Sequence, residues 1–207
     1  MGLALAAGPA LSQEPALSAA GTALVTEIGG HKVTFPTPRW LGEGEGATAP
    51  FVFNRLADDV ESLTFVPKGE SIVSWTRMMG VLVVDRPGYG TERQVQSLVE
   101  PLQASCTRDQ LGLTPVKSQR PGQVDALVLV CGRYRPSSAA PTGCAAGIVV
   151  AVVRESWNGS MKVYDEWCTG AFDVDNRDSW PVKPDELIAI ATGMQEITAF
   201  EALAKTP

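Results

Sequence analysis

The sequence predicts an α+β domain: a run of antiparallel β-hairpins with two helices laid on the sheet. Three observations carry that expectation. Short runs of strand-like residues recur, separated by Gly-Gly, Asp-Asp and Asn-Gly turns. Two stretches, opening at Thr91 and at Pro184, space their apolar residues as helices do. The order is strands, helix, strands, helix, so helices and strands are segregated rather than alternating.

Taken in order, Ala23–Ile28 and His31–Phe35 flank Gly29-Gly30, a two-residue turn that tolerates positive φ, and read as a hairpin. Trp40-Leu41 and a GEGEGATAP loop follow. Phe51–Ala57 and Glu61–Val66 form a second strand pair around Asp58-Asp59, whose short acceptor side chains favour a turn. Arg77–Asp85 is nearly continuously apolar, the pattern of a central strand covered on both faces. Gly88 and Gly90 break the chain. Thr91 then starts a helix, with Gln94 completing a capping box, and Val95, Leu98, Val99, Leu102 and Cys106 form its apolar stripe. Pro101 should kink or shorten that helix.

Strands return at Val116–Arg120 and Val124–Tyr134 around Pro121-Gly122-Gln123. Gly147–Glu155 and Met161–Trp167 flank Asn158-Gly159, the strongest hairpin signal in the chain. Residues 136–143 between these pairs read as a plain loop. Pro184-Asp185-Glu186 opens the last helix, where proline and acids suit the free amides of a first turn. Leu187, Ile190, Ala191, Met194 and Ile197 supply its buried stripe.

The first twelve residues, MGLALAAGPALS, are small and apolar, and Ala10-Leu11-Ser12 before Gln13 fits a small-x-small cleavage rule. No Lys or Arg precedes Lys32, so the stretch is read as a signal-peptide remnant. Residues 13–22 are then a flexible N-terminus, and 23–207 one α+β domain, periplasmic or secreted. In that compartment the four cysteines, Cys106, Cys131, Cys144 and Cys168, are expected to form two disulfides. Of the three pairings, Cys106–Cys131 with Cys144–Cys168 is preferred, because the second pair ties the ends of the Asn158-Gly159 hairpin. No CxxC spacing points to redox or zinc chemistry. The net charge of −6 argues against nucleic acid and against adhesion to anionic lipid. Lys117, Arg120, Arg133 and Arg135 are the candidates for a local basic patch. No apolar run is long enough for a membrane helix, so membrane insertion is not expected.

The stretch FVPKGESIVSWTRMM, Phe65–Met79, resembles a motif of small secreted bacterial proteins: a strand, Pro-x-Gly-Glu, a short spacer, then Trp-Thr opening the next strand. It is similar to the Mog1/PsbP-like family, and the strand–helix order extends the likeness loosely over residues 50–200. The resemblance implies a curved antiparallel sheet flanked by helices on both faces, an α-β-α sandwich. It also implies a non-enzymatic role, as an assembly factor or binding adaptor. The two N-terminal strands and four cysteines depart from the better-characterised members, and no ligand residue carries over.

A catalytic set is not legible. His31 is the sole histidine and reads as a polar residue of a surface turn. No nucleophile elbow, metalloprotease helix or phosphate loop is present. Gly42, Gly44 and Gly46 are followed by Ala-Thr-Ala-Pro rather than a helix, and Gly88-Tyr89-Gly90 is better explained by capping at Thr91. Asp173–Asp178, DVDNRD, starts like a calcium loop but puts Arg177 at a ligand position and lacks the required glycine. Asn158-Gly159-Ser160 matches a glycosylation sequon that a hairpin turn already explains. Asp165 and Glu166 adjoin on a strand and so point to opposite faces. They need Asp85 or Asp125 to make a facing carboxylate pair.

No cofactor and no metal are expected. The leading reading is a periplasmic, non-enzymatic binding or assembly module, its partner another protein of the cell envelope. Trp40, Trp157, Asn158, Arg133 and Arg135 are the candidate binding surface, and Trp75 is a core anchor at the start of the Arg77 strand. A carboxylate-dependent hydrolase is one alternative. The other is a hydrolase inhibitor that inserts the Trp157–Ser160 hairpin tip into a cleft.

Overall fold

The computed structural model describes residues 15–20, 22–41, 50–117, 124–136 and 142–203. The stretch read as a signal remnant, the expected loop over 42–49, Arg120, the expected turn over 121–123 and most of the expected linker over 136–143 lie outside them. Along the chain run β1 (Ser18–Ala20), β2 (Ala23–Ile28), β3 (His31–Pro36), β4 (Val52–Ala57), β5 (Val60–Phe65) and β6 (Arg77–Val84). Then come α1 (Thr91–Ser105), β7 (Leu111–Lys117), β8 (Val124–Cys131), β9 (Ala146–Ser156), β10 (Gly159–Thr169), α2 (Pro184–Ile197) and β11 (Ala199–Ala202). The fold is α+β and mostly β.

Two antiparallel sheets form among the described residues. The larger has seven strands in the order β4-β5-β6-β10-β9-β8-β7, and the smaller has four, β1-β2-β3-β11. Period-two alternation assigns the large sheet's two faces. Leu63, Met79, Val81, Val83, Met161, Val163, Ile148, Val150, Val128 and Val130 point to one side, into a core shared with Leu24 and Phe35 of the small sheet and with Leu187, Ile190 and Met194 of α2. Leu127, Leu129, Cys131, Val149 and Ala151 point to the other side, where Leu102 and the partly buried Val95, Leu98 and Val99 of α1 cover them. The two helices therefore lie on opposite faces. β9 is buried without interruption from Ala146 to Val153 because both its faces are covered.

Several expectations shift in detail. Ser18–Ala20 pair with β2, so the N-terminal stretch read as flexible joins a sheet at those residues. β11 closes the small sheet against β3 and was not expected. β7 starts at Leu111 rather than Val116, and as the edge strand it accommodates Pro115, which has no amide to donate. α1 runs through Pro101 to Ser105. The Thr91/Gln94 capping box does not form. Glu155 of the neighbouring strand instead accepts from Thr91 N at 2.8 Å and Thr91 Oγ1 at 2.9 Å, while Gln94 is fully buried against β10.

The Asn158 hairpin forms one residue out of the expected position. Its turn is Trp157-Asn158, and Gly159 pairs with Ser156 as the first residue of β10. Gly159 is needed for space: a Cβ there would meet the Val84 carbonyl oxygen at 2.3 Å. The cysteines pair as preferred, Cys106 with Cys131 and Cys144 with Cys168. Two disulfides are the mark of an oxidising, extracytoplasmic compartment. No helix among the described residues is long and apolar enough to cross a membrane.

Candidate functional site

β10 is the middle strand of the seven, and its outward residues on the α1 side read Ser160, Lys162, Tyr164 and Glu166. Lys162, Tyr164 and Glu166 are the floor of a groove of about 410 Å³ between the sheet and α1. Cross-strand register surrounds each charge with apolar neighbours. Lys162 lies between Leu82 and Val153, and Glu166 between Met78 and Val149. Tyr164 lies between them, opposite Gly80, where a Cβ would sit 2.2 Å from its ring. Gly147 makes room in the same way for the Tyr134 hydroxyl. The opposite wall is one face of α1, from Ser97 to Ser105, and Trp75 lines the groove as well.

Burial governs the electrostatics. It lowers the Lys162 ammonium to about 8, with Glu166 opposing the shift. It raises the Glu166 carboxyl to about 7, against the pull of Lys162. Burial also raises the Tyr164 hydroxyl to about 12, and pushes Tyr134 upward. Lys162 Nζ donates to Ser97 Oγ at 3.0 Å. Among the described residues neither Lys162 nor Glu166 forms an ion pair; the pairs found are Arg39–Glu186, Arg55–Glu61, Arg77–Asp165 and Arg86–Asp59. The groove thus holds a buried ammonium and a partly buried carboxylate on one strand face, each feeling the other's charge without a direct ion pair.

The residues singled out from sequence scatter around the molecule. Trp75 is 6 % exposed and lines the groove. Trp157 is 76 % exposed at its hairpin tip. Asn158 is not a surface residue. It is buried beneath that tip, donating from Nδ2 to Asp85 Oδ1 at 3.0 Å, with its Oδ1 2.9 Å from His31 Nε2. His31 is likewise no surface histidine: it has no exposure, and Phe200 of the unexpected β11 stacks on it at 4.2 Å. Trp40 packs against the main core, where the Arg77 guanidinium is shared between it and Trp167 at 5.2 and 4.5 Å. Arg133 and Arg135 are exposed, but Arg133 shares its depression with Asp109 and Asp173, so no purely basic patch forms there.

The carboxylates do not converge. Asp165 faces the main core, where Arg77 holds it bidentately at 3.0 and 2.6 Å, while Glu166 faces the groove. Asp85 is tied to Asn158. Among the described residues no cluster of His, Cys, Asp or Glu is arranged to hold a metal. Asp173 Oδ1 and Asn176 Oδ1 are taken by the amides of Asp175 and Asp178, the pattern of a self-capped acidic turn.

No family model, curated protein or solved structure matches this chain. Its function is therefore argued from the site itself. Sequence reasoning missed Lys162, Tyr164 and Tyr134. The available signal was the alternation in Ser160–Trp167, SMKVYDEW, which puts a lysine, a tyrosine and a glutamate on one face of a strand whose other face is Met161, Val163, Asp165 and Trp167.

Proposed function

We propose that this protein is a non-enzymatic binding module of the periplasm, Mog1/PsbP-like in fold, with the groove under α1 as its ligand seat. The observation that carries this reading is the opposite charges of Lys162 and Glu166, with no direct ion pair, in a concave site between helix and sheet. Such charges are costly to bury unless something compensates them, and concave, mostly apolar sites with few polar groups are where small ligands bind. The two disulfides support the compartment. The placement of α1 and α2 on opposite faces of one antiparallel sheet supports the fold assignment. Dispersal of Asp85, Asp165 and Glu166 weighs against a carboxylate-pair hydrolase.

The test is a dye titration. The wild-type chain should bind 8-anilinonaphthalene-1-sulfonate saturably at one site. Ser105→Trp, which fills the groove from α1, should abolish that binding while circular dichroism stays unchanged. Equal fluorescence in both proteins would reject the groove as a seat.

A second reading rests on Trp157. A large aromatic, 76 % exposed on a tip whose base is pinned by Asn158, is a rigid anchor of the kind that enters a partner's pocket. On that reading the partner is another envelope protein, a hydrolase among the candidates. Trp157→Ala should leave the melting temperature unchanged and reduce capture of envelope proteins on the immobilised chain. Undiminished capture would dismiss the hairpin tip.

A further inference from the structure

We propose that the groove selects a short peptide with free termini, its carboxylate at Lys162 and its ammonium at Glu166. The inference rests on the groove being a ligand seat and adds the class of ligand. Its first support is charge symmetry. Lys162 and Glu166 stand four residues apart on the same face of β10, each flanked across the strands by apolar side chains. A ligand with one charge meets one of them and leaves the other without a counter-charge in the groove. An anion is met by Lys162 and opposed by Glu166, and a cation the reverse. Only a ligand bearing both charges, at opposite ends, compensates both.

The second support is length. Lys162 reaches Ser97 of α1, and Glu166 lies toward the end where Ser105 and Tyr134 line the groove. Four strand residues advance about 13 Å and the eight helical steps from Ser97 to Ser105 about 12 Å, so floor and wall run side by side over the same span. Allowing for the reach of the two charged side chains, an extended peptide of about two or three residues fits between them, at roughly 3.3 Å per residue. A volume of about 410 Å³ accommodates a ligand of that size.

The third support is polarity along the groove. α1 ends at Ser105, and its last turn contains no basic residue. The helix C-terminus therefore leaves its partial negative charge at the same end as Glu166, and both favour an ammonium there. The Lys162 end offers the Lys162 ammonium, which suits a carboxylate, while the Ser97 hydroxyl accepts from Lys162 and donates to the Gln94 carbonyl oxygen at 2.8 Å. Between the ends, Leu82, Leu98, Leu102, Val149 and the Tyr164 ring give apolar walls, so apolar side chains are preferred in the bound peptide.

The experiment is displacement of bound 8-anilinonaphthalene-1-sulfonate from the full chain, confirmed by calorimetry. The competitors are Ala-Leu and Ala-Leu-Ala, their N-acetylated forms and their C-terminal amides. The free peptides should displace the dye, and blocking either terminus should weaken them by about tenfold or more. Lys162→Met should lose sensitivity to amidation alone, and Glu166→Gln should lose sensitivity to acetylation alone. That crossed pattern is a readout that general damage to the fold does not produce. If the dye binds the groove but no free peptide displaces it, or blocked and free peptides compete equally, the peptide assignment is overturned and the seat stands. If the dye does not bind the groove at all, both readings fall.

Discussion

Gly80 faces Tyr164 across the β6–β10 ladder, and there is no room between them for a side chain. Gly80→Ala should drive its methyl into the ring or tilt the ring into the groove. The expected loss is about 1–3 kcal/mol in a urea melt, the usual range for overpacking. A loss near zero would mean that Tyr164 swings away freely, and the groove floor would then not be preformed. Trp75→Ala removes a large buried wall and should cost about 3–5 kcal/mol by the same measurement. At this scale the sequence was informative where packing alone decides: Trp75 reads as a core residue from its place before an apolar run, and its side chain is 6 % exposed against the groove. It misled where a distant segment decides. His31 and Asn158 look like exposed residues of turns, yet both are buried, with Phe200 stacked on one and Asp85, far away in the chain, bonded to the other.

Helices and hairpins form largely where their local signals lie, since turn chemistry and periodicity are properties of neighbouring residues. α2 begins at its proline with two acids in the first turn, as the free amides there favour. α1 begins at Thr91, but its cap comes from Glu155, a residue of another strand that no local motif includes. The Cys106–Cys131 bridge ties the end of α1 to β8 across 25 residues. Converting both cysteines to serine should cost about 3 kcal/mol, and loosen α1 first because that is the element it clamps. Hydrogen exchange read over residues 91–105 checks this. Protection there equal to wild type would show that apolar packing alone holds the helix. For the bridges themselves, intact mass with and without reductant should differ by four hydrogen atoms, two added to each bridge.

For the whole molecule, the groove charges predict a distinctive pH profile of stability. Folded Glu166 keeps its proton up to about 7, against an ordinary 4.5, so the folded chain binds more protons across that interval. Stability from this group therefore falls as pH rises from 4.5 to 7. Folded Lys162 loses its proton near 8 rather than 10.5, so there the unfolded chain binds more protons and stability climbs again over that interval. Together they give a shallow minimum between about pH 7 and 8. Urea melts across pH 5 to 10 measure it. Glu166→Gln should remove the falling limb and Lys162→Met the rising one; parallel profiles in all three proteins would show that the groove is hydrated and its charges unstrained.

By itself the sequence determined the α+β class, the hairpins around Gly29-Gly30 and Asp58-Asp59, the two helical stripes, and four cysteines whose preferred pairing the fold adopts. These follow from interactions between residues close along the chain or from strong hairpin geometry. Only the tertiary structure decided that there are two sheets sharing one core, and that Lys162, Tyr164 and Glu166 share a groove with α1. A strand pattern tells which residues share a face but not what covers that face. The groove exists because α1 covers the β8–β9 side of the sheet and leaves β6 and β10 partly open, a consequence of strand order that no local run of residues encodes.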